Sequence, residues 1–417
     1  MWFVALLAGN TAAYACRTTM PLVSPVIAKD LSWSKTEAGT VLSSFFWGYA
    51  LTQILGGYLS DRFGAERVLL GSVLGWGLLT FWFHQIVYFS QDHDSAIALI
   101  VFSRVMMGAF QGVHYPAVAS ITSRNLGARD RSVFFSATCA GSPLGALLTG
   151  TVGSYVNGSF GWPAVFYTIG FFALAWAAFL RYHAMALSRR KRLVAGVGDA
   201  RLPLLGPAAA AGAAEEKVPW LTYLTSRALW ACIVGHFCQN NCFFILLSWL
   251  PTYFHDNFPE APSSVFNVVP WAFNVPGIFL ASYFVKRLLA RGSAVGTARK
   301  ISESICLGTE AACLMLIGHT SGFPAALTLM SVCLLAQGFH NSGTTPNPQD
   351  LAPKHSGTVF GVMNGIGCIP GFVGVYLAGY ILEVTGGSWI AVFNVTAAIN
   401  AVGLAVFVAF GSGNPIV

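Results

Sequence analysis

The chain has 417 residues, of which 55% are hydrophobic and only 9% are charged, and its mean hydropathy is +0.63. So few charges cannot solvate the surface of a water-soluble protein of this length, so a soluble fold is excluded. The formal net charge of +7 does not indicate a nucleic-acid partner, because most of the 23 Lys and Arg residues fall on one set of alternating loops. The composition predicts a membrane protein.

Apolar stretches recur along the chain, each long enough for a helix that crosses a bilayer core of about 30 Å. Only α-helices or closed barrels satisfy their backbone hydrogen bonds in lipid, and such continuous runs favour helices. We expect twelve spans, at 2–26, 38–59, 68–89, 97–122, 132–156, 162–182, 227–254, 264–290, 300–319, 323–345, 356–382 and 388–410.

Residues 183–219 separate the sixth span from the seventh and are polar, rich in Gly, Ala and Pro, and basic in "SRRKR" (188–192). This composition predicts a linker between an amino-terminal six-helix half (1–182) and a carboxy-terminal six-helix half (220–417). Because basic residues prefer the cytoplasmic side, the linker and both termini are expected there. Two such halves suggest a secondary transporter whose site lies near the midplane between them.

The nine cysteines all fall in predicted spans, so neither a disulfide framework nor a zinc-binding spacing is present. The sequence also lacks a Walker loop, a metal-ligand cluster and a nucleophile motif. We therefore expect no enzymatic activity, no metal and no bound cofactor.

A dense group of charges follows the second span, in "GGYLSDRFGAER" (56–67). It matches the pattern G-x-L-x-D-R-x-G-x-x-R and resembles the loop between helices 2 and 3 of the major facilitator superfamily. Glycines would let helix ends approach, while the aspartate would cap a neighbouring helix and pair with arginines when the cytoplasmic side is shut. The predicted gating residues are Gly57, Asp61, Arg62, Gly64 and Arg67. The corresponding stretch of the second half, "SYFVKRLLARG" (282–292), has Lys286 where an aspartate is expected, so the first gate should dominate.

Further stretches are similar to the anion-transporter family that includes vesicular glutamate, sialic acid and organic-phosphate carriers. They are "SRVMMGAFQGVHYPA" (103–117), "GSPLGALLTG" (141–150) and "QDLAPKHSGTVFGV" (349–362). Within that family, "FFILLSWLPTYF" (243–254) and "FNVVPW" (266–271) most resemble the members that carry nucleotides.

The resemblance implies a monomer that loads ATP, ADP or GTP into secretory or synaptic vesicles or lysosome-related organelles. Transport would be driven by the membrane potential that a vesicular proton pump maintains, with chloride as an activating ion. The alternatives are a proton- or sodium-coupled carrier of glutamate, sialic acid or phosphate, and an anion channel.

Arg17 and Arg104 are the two charged side chains expected well inside the spans, at similar depth. A buried arginine is a functional candidate by default because its burial is costly. Two guanidinium groups could hold a phosphate chain bidentately, and the family resemblance implies an essential arginine at both positions. The alternative for each is a structural role, bonding backbone carbonyls at helix breaks.

Helical spacing adds polar and aromatic residues to this candidate substrate site. In the first half these are Tyr49, which follows Phe45, and Gln111 and Tyr115, which follow Arg104; His114 joins them as a titratable residue next to Tyr115. In the second half they are His236, Asn240 and Asn341, with Gln337 and Thr344 beside Asn341. The amide-rich second-half faces suit a base or ribose. The alternative for each residue is hydrogen bonding between helices.

Three positions depart from the glutamate carriers: Gln111 replaces their glutamate, Leu42 their histidine and Gln239 their additional arginine. With no acidic residue expected inside any span, we predict transport driven by potential alone. If protons do couple to transport, His114 and His236 are the candidates.

Overall fold

The computed structural model describes residues 2–90, 92–125, 141–195 and 219–416. Across these ranges the ordered elements are helical and no strand occurs. Seven helices in the same ranges are long and apolar enough to cross a membrane: His93–Val118, Trp162–Tyr182, Arg227–Asn257, Ser263–Ala290, Phe323–Asn341, Ser356–Val384 and Trp389–Phe410.

The first half is built from nine α-helices and one π-helical turn in the described ranges. The helices are α1 (Trp2–Asp30), α2 (Lys35–Phe63), α3 (Ala65–Phe81), α4 (Phe83–Val87), α5 (His93–Gly112), α6 (His114–Asn125), α7 (Gly141–Leu148), α8 (Ser154–Phe160) and α9 (Trp162–Ala195), with the π-helical turn at Thr149–Gly153. A reciprocal capping box between Ser34 and Glu37 starts α2.

The second half continues in the same manner after residue 218. Its helices are α10 (Trp220–Thr225), α11 (Arg227–Asn257), α12 (Ser263–Phe266), α13 (Val269–Ala290), α14 (Val295–Ile317), α15 (Phe323–Gln337), α16 (Asn347–Leu351), α17 (Ser356–Gly367), α18 (Ile369–Val384) and α19 (Trp389–Phe410), with a 3-10 helix at Gly338–Asn341.

The structure revises two predicted spans and shows helix at the start of the predicted linker. The span 97–122 is interrupted at Val113, and α6 restarts with Pro116 in its first turn, where a missing N–H costs nothing. The span 323–345 stays α-helical only to Gln337, after which the chain tightens into the 3-10 helix. The predicted linker 183–219 begins as helix, because α9 extends to Ala195.

Helices α2 and α5 cross at two glycines, and this crossing positions the candidate site. A Cβ atom added to Gly48 would lie 1.9 Å from the Val105 carbonyl oxygen, and one added to Gly108 would lie 1.8 Å from the Phe45 carbonyl oxygen. Neither backbone could come so close if a side chain intervened. The crossing therefore fixes Phe45 of α2 against the face of α5.

The two halves meet at the end of the bundle where α1 connects to α2, opposite the chain termini; we call this the far end. There the Lys35 Nζ atom lies 2.5 Å from the Asp256 carboxylate. The backbone N–H of Thr36 donates to the Glu383 carboxylate at 3.2 Å. Gly39 also packs against Gly379, since a Cβ added to Gly39 would lie 3.2 Å from the Gly379 Cα atom. The far end is closed.

A cavity of about 230 Å³ lies at this closed end, lined in part by Ala38, Lys35 and Asp256. Asp256 also accepts a hydrogen bond from the Trp389 indole N–H at 3.2 Å. We expect Asp256→Asn to raise the population of molecules open at the far end by about fivefold. The change is modest because a partly exposed ion pair stabilises the closed state by about 1 kcal/mol at most.

The opening is measured as faster modification of a cysteine introduced at Ala38 by a membrane-impermeant reagent. Glu260→Gln, at an exposed residue of the same half, is the control and should leave the rate unchanged. Equal rates in the Asp256→Asn protein and the parent would show that the ion pair does not hold the halves together.

Candidate functional site

One aromatic ring lies close to both predicted arginines. Arg17 of α1 is 4% exposed and Arg104 of α5 is 3% exposed. The Cζ atoms of Arg17 and Arg104 lie 4.7 Å and 5.3 Å from the centre of the Phe45 ring. The structure therefore brings the two guanidinium groups together around a residue of α2.

Two tyrosines complete the aromatic surroundings of Arg17. Its Cζ atom lies 4.5 Å from the Tyr14 ring centre and 4.7 Å from the Tyr49 ring centre. The Phe45 and Tyr49 rings are stacked, with centroids 5.7 Å apart. Cation–π contacts stabilise a buried guanidinium without neutralising its charge or occupying its N–H groups.

Neutral groups make the hydrogen bonds to the arginines. Arg17 Nη2 donates to Gln111 Oε1 at 3.3 Å, and Gln111 Nε2 donates in turn to the Ala13 carbonyl at 3.0 Å. Arg104 Nη1 contacts the Met107 sulfur at 3.3 Å. Within the described residues, the Nε atoms of both arginines have no hydrogen-bond partner and no carboxylate lies within ion-pair distance. Because no carboxylate of the described ranges neutralises them, both guanidinium groups keep their positive charge for binding an anion.

His114 and Tyr115 lie at the start of α6, directly after the site. His114 is 2% exposed, and neither ring nitrogen has a hydrogen-bond partner among the described residues. The hydroxyl of Tyr115 lies 3.2 Å from the Ser142 hydroxyl of α7. Arg17, Arg104, Tyr49 and Gln111 thus form the compact group, with His114 and Tyr115 beside it in the chain. Tyr14 is the member that helical spacing missed, although it precedes Arg17 by three residues.

The predicted second-half residues form a separate group. The amide of Asn240 lies 3.1 Å from His236 Nε2. Asn341, by contrast, is exposed at the end of the 3-10 helix, whereas Thr344 is fully buried. The predicted shared face of Gln337, Asn341 and Thr344 does not form, because the chain leaves the α-helical period after Gln337.

Two acidic residues lie inside α14, so the prediction of spans without acidic residues is wrong. Glu303 and Glu310 are both 0% exposed. Glu310 accepts a hydrogen bond from Asn400 of α19 at 2.8 Å. The seven-residue interval puts both carboxyl groups on one helix face. That interval, inside the predicted span 300–319, was the signal that could have found them.

The predicted gate is described only in part. Arg62 is exposed, donates to the Tyr58 hydroxyl at 2.7 Å and lies over the Phe63 ring. Gly64 joins α2 to α3 with φ at +90°, and a Cβ there would meet nothing within 4 Å. That glycine is needed for its dihedral angle and not for the predicted close approach. Arg67 is exposed in the first turn of α3. Gly57 and the Asp61 side chain lie outside the described residues.

The model of the Major Facilitator Superfamily matches residues 5–375. The chain belongs to the major facilitator superfamily. The predicted fold, an all-α membrane protein of the major facilitator class, is confirmed, and the superfamily consists of transporters.

Relatives of this major facilitator protein include two named as voltage-gated purine nucleotide uniporters. The protein of Mus musculus is 40% identical over 418 residues, covering 100% of this chain and 90% of the relative. That of Homo sapiens is 38% identical over 415 residues, covering 100% and 92%. These matches confirm the predicted resemblance to nucleotide carriers.

A solved structure shares the same fold. It is a bacterial homolog of the human lysosomal transporter Spinster, in an inward-facing and occupied conformation. Its TM-score is 0.74 at 15% identity, covering 98% of this chain and 95% of that chain.

Proposed function

We propose that this major facilitator protein is a uniporter for purine nucleotides such as ATP, ADP and GTP, working by alternating access. The observation that carries the proposal is the pair of buried guanidinium groups, Arg17 and Arg104, with no carboxylate partner among the described residues. A nucleotide supplies the missing negative charge, and its oxygen atoms accept from N–H groups in the planar geometry that arginine favours. The names of the relatives at 40% and 38% identity agree with this substrate.

The residues around Phe45 suit a ligand that carries both negative charge and a flat aromatic ring. Phosphate oxygens would replace the Gln111 oxygen at Arg17 and take up the free Nε–H groups. The Tyr14 and Tyr49 rings offer aromatic surface on which a purine can pack. Because position 111 carries an amide and not an acid, no protein carboxylate competes with the phosphates there.

The closed far end supports one state of an alternating-access cycle. If the termini and basic loops are cytosolic, as the charge distribution predicts, the far end faces the lumen. The site is then shut from the lumen, as in the state that receives substrate from the cytosol. We further propose that the protein works as a monomer in secretory or synaptic vesicles or lysosomes, where chloride activates it and a proton pump maintains the potential.

Competition among anions tests the substrate. In proteoliposomes under a fixed potential, labelled ATP uptake should saturate and should be inhibited by ADP and GTP but not by glutamate, sialic acid or phosphate. Stronger inhibition by one of these three would favour a carrier of that anion. Flux that rises linearly without saturation would indicate an anion channel.

The driving force gives a separate prediction. A potassium–valinomycin potential, positive inside, should drive concentrative uptake, whereas a pH or sodium gradient at zero potential should not. Moving one charge across the membrane potential changes its free energy by about 2.3 kcal/mol per 100 mV. Uptake of a nucleotide with about four negative charges is therefore favoured by about 9 kcal/mol at about 100 mV. Concentrative uptake on a pH gradient alone, with none on the potential, would instead show proton coupling.

A further inference from the structure

Four side chains of the second half, three of them buried and Asn240 half-buried, form a continuous hydrogen-bond chain that is separate from the arginine site. Asn240 Nδ2 lies 3.1 Å from His236 Nε2, and His236 Nδ1 lies 2.9 Å from His340 Nε2. His340 Nδ1 lies 2.9 Å from Glu303 Oε1. The chain links α11 to α14 through the 3-10 helix.

The two ends of this chain fix where its protons lie. The Gly367 carbonyl can only accept, so the Asn240 Nδ2 atom that contacts it at 2.9 Å is the donor, and the same Nδ2 donates to His236 Nε2. His236 therefore carries its proton on Nδ1 and donates to His340 Nε2. His340 then carries its proton on Nδ1 and donates to Glu303, which also accepts from the Thr344 backbone N–H at 3.0 Å.

With both imidazoles neutral, the chain has the single negative charge of Glu303, which is 0% exposed. Two basic residues precede Glu303 on α14: Arg299 is already paired with Asp350 at 2.8 Å, and Lys300 does not lie within ion-pair distance of Glu303. Within the described ranges, the other groups that face Glu303 and His236 from the surrounding helices carry no positive charge. They are Glu310 and Cys306 of α14, Cys232 and Cys238 of α11, and Asn364 of α17. A buried net charge is costly, and one added proton would turn it into a neutral imidazolium–carboxylate pair.

We propose that Glu303, His340 and His236 form a site that binds one proton from solution, and that its occupancy shifts the protein between its two alternating states. The proton enters at His236 Nε2, beside the half-buried Asn240, while the Nδ1 proton of His236 passes to His340 Nε2. His340 becomes the imidazolium against Glu303. No other bond forms or breaks, and no electron moves.

Proton entry conflicts with the contact between α11 and α17. Once His236 Nε2 carries a proton it no longer accepts from Asn240, so the amide turns its oxygen toward the ring and its Nδ2 leaves the Gly367 carbonyl. That contact is tight, because a Cβ added to Gly367 would lie 2.7 Å from Asn240 Nδ2. Losing it frees the end of α17.

The freed segment adjoins the interface between the halves. Asn364 of α17 donates to Gln53 of α2 at 3.3 Å, and Gln53 Nε2 contacts the Cys368 sulfur at 3.8 Å. Since the described conformation is closed at the far end and contains the intact Asn240–Gly367 bond, protonation should depopulate it. This role is regulatory, and it is distinct from the driving force proposed above.

The test measures conformation without any substrate. Spin labels at Asp94→Cys and Glu260→Cys, exposed on opposite halves near the far end, report its closure in detergent. The fraction closed should fall about fivefold between about pH 7.5 and about pH 5.5, as one proton binds. Glu303→Gln and His340→Gln, which keep hydrogen-bonding groups of similar size, should hold it constant within about twofold. His319→Gln, at an exposed histidine of the same half, should follow the parent protein.

Nucleotide uptake at a clamped potential, with equal pH on both sides, gives the second readout. Its rate should depend on pH in the parent and the His319→Gln protein but not in the Glu303→Gln protein. The proton site would be overturned if the label distances in the parent did not change with pH. It would also be overturned if the Glu303→Gln and His340→Gln proteins kept the parent's pH dependence. Absence of uptake together with a Glu303-dependent distance change would contradict the proposed substrate and leave the proton site supported.

Discussion

Arg17→Ala and Arg104→Ala are each expected to abolish nucleotide uptake while the protein still folds and inserts. Each substitution removes one of two positive charges that converge on Phe45, and the other cannot bind a phosphate chain alone. Losing a charge-assisted hydrogen bond in a desolvated site costs about 3 kcal/mol or more in binding, which is about a hundredfold. Folding should survive, because removing an uncompensated buried charge also relieves its desolvation cost.

Lysine at either position should restore little uptake, since an ammonium group lacks the planar fork and the ring stacking of a guanidinium. Arg291→Ala, at an exposed arginine, is the matched control and should transport normally. Monodispersity and melting temperature in detergent establish folding for every variant. Normal uptake by the Arg104→Ala protein would rule out a two-arginine site.

Gly108→Ala should both destabilise the protein and stop transport, although residue 108 has no side chain that could contact a substrate. The new Cβ would lie 1.8 Å from the Phe45 carbonyl oxygen, so α2 must move away from α5. Overpacking of this kind costs about 1–3 kcal/mol. The displacement also carries the Phe45 ring away from both guanidinium groups.

Gly71→Ala is the matched control, because a Cβ at that helical position meets nothing within 4 Å. It should leave uptake unchanged and raise the melting temperature slightly, since alanine favours a helix by up to about 1 kcal/mol over glycine. A Gly108→Ala protein with the parent's melting temperature and uptake would mean that the crossing is not needed for the site.

The arginines could be predicted from sequence because a charge inside an apolar run is visible whatever packs around it. Gln111 followed from Arg104 by helical spacing, and the structure places it against Arg17. The shared contact with Phe45 could not be predicted in this way. It depends on how closely α2 and α5 approach, which Gly48 and Gly108 set together from distant parts of the chain.

His340 was missed for a different reason. The α-helical period was extended through residues 338–341, but the chain winds there with about three residues per turn, so the buried side changes from Asn341 to His340. Such a switch depends on tertiary contacts with α14 and leaves little trace in the local pattern. The buried pair Glu303 and Glu310 needed no structure to find; their spacing was present in the sequence.

The uncompensated charge of Arg17 and Arg104 also bears on how the empty protein returns after releasing its cargo. On the proposed function, the loaded site is net negative, because about four nucleotide charges outweigh two guanidinium groups, whereas the empty site is net positive. A lumen-positive potential then favours reorientation of the loaded site toward the lumen. The same potential favours return of the empty site toward the cytosol, since a positive centre moves toward the negative side. The same membrane potential would thus drive the reorientation of both the loaded and the empty protein. A carboxylate partner for each arginine would remove the effect on the empty protein, because its site would then carry no net charge.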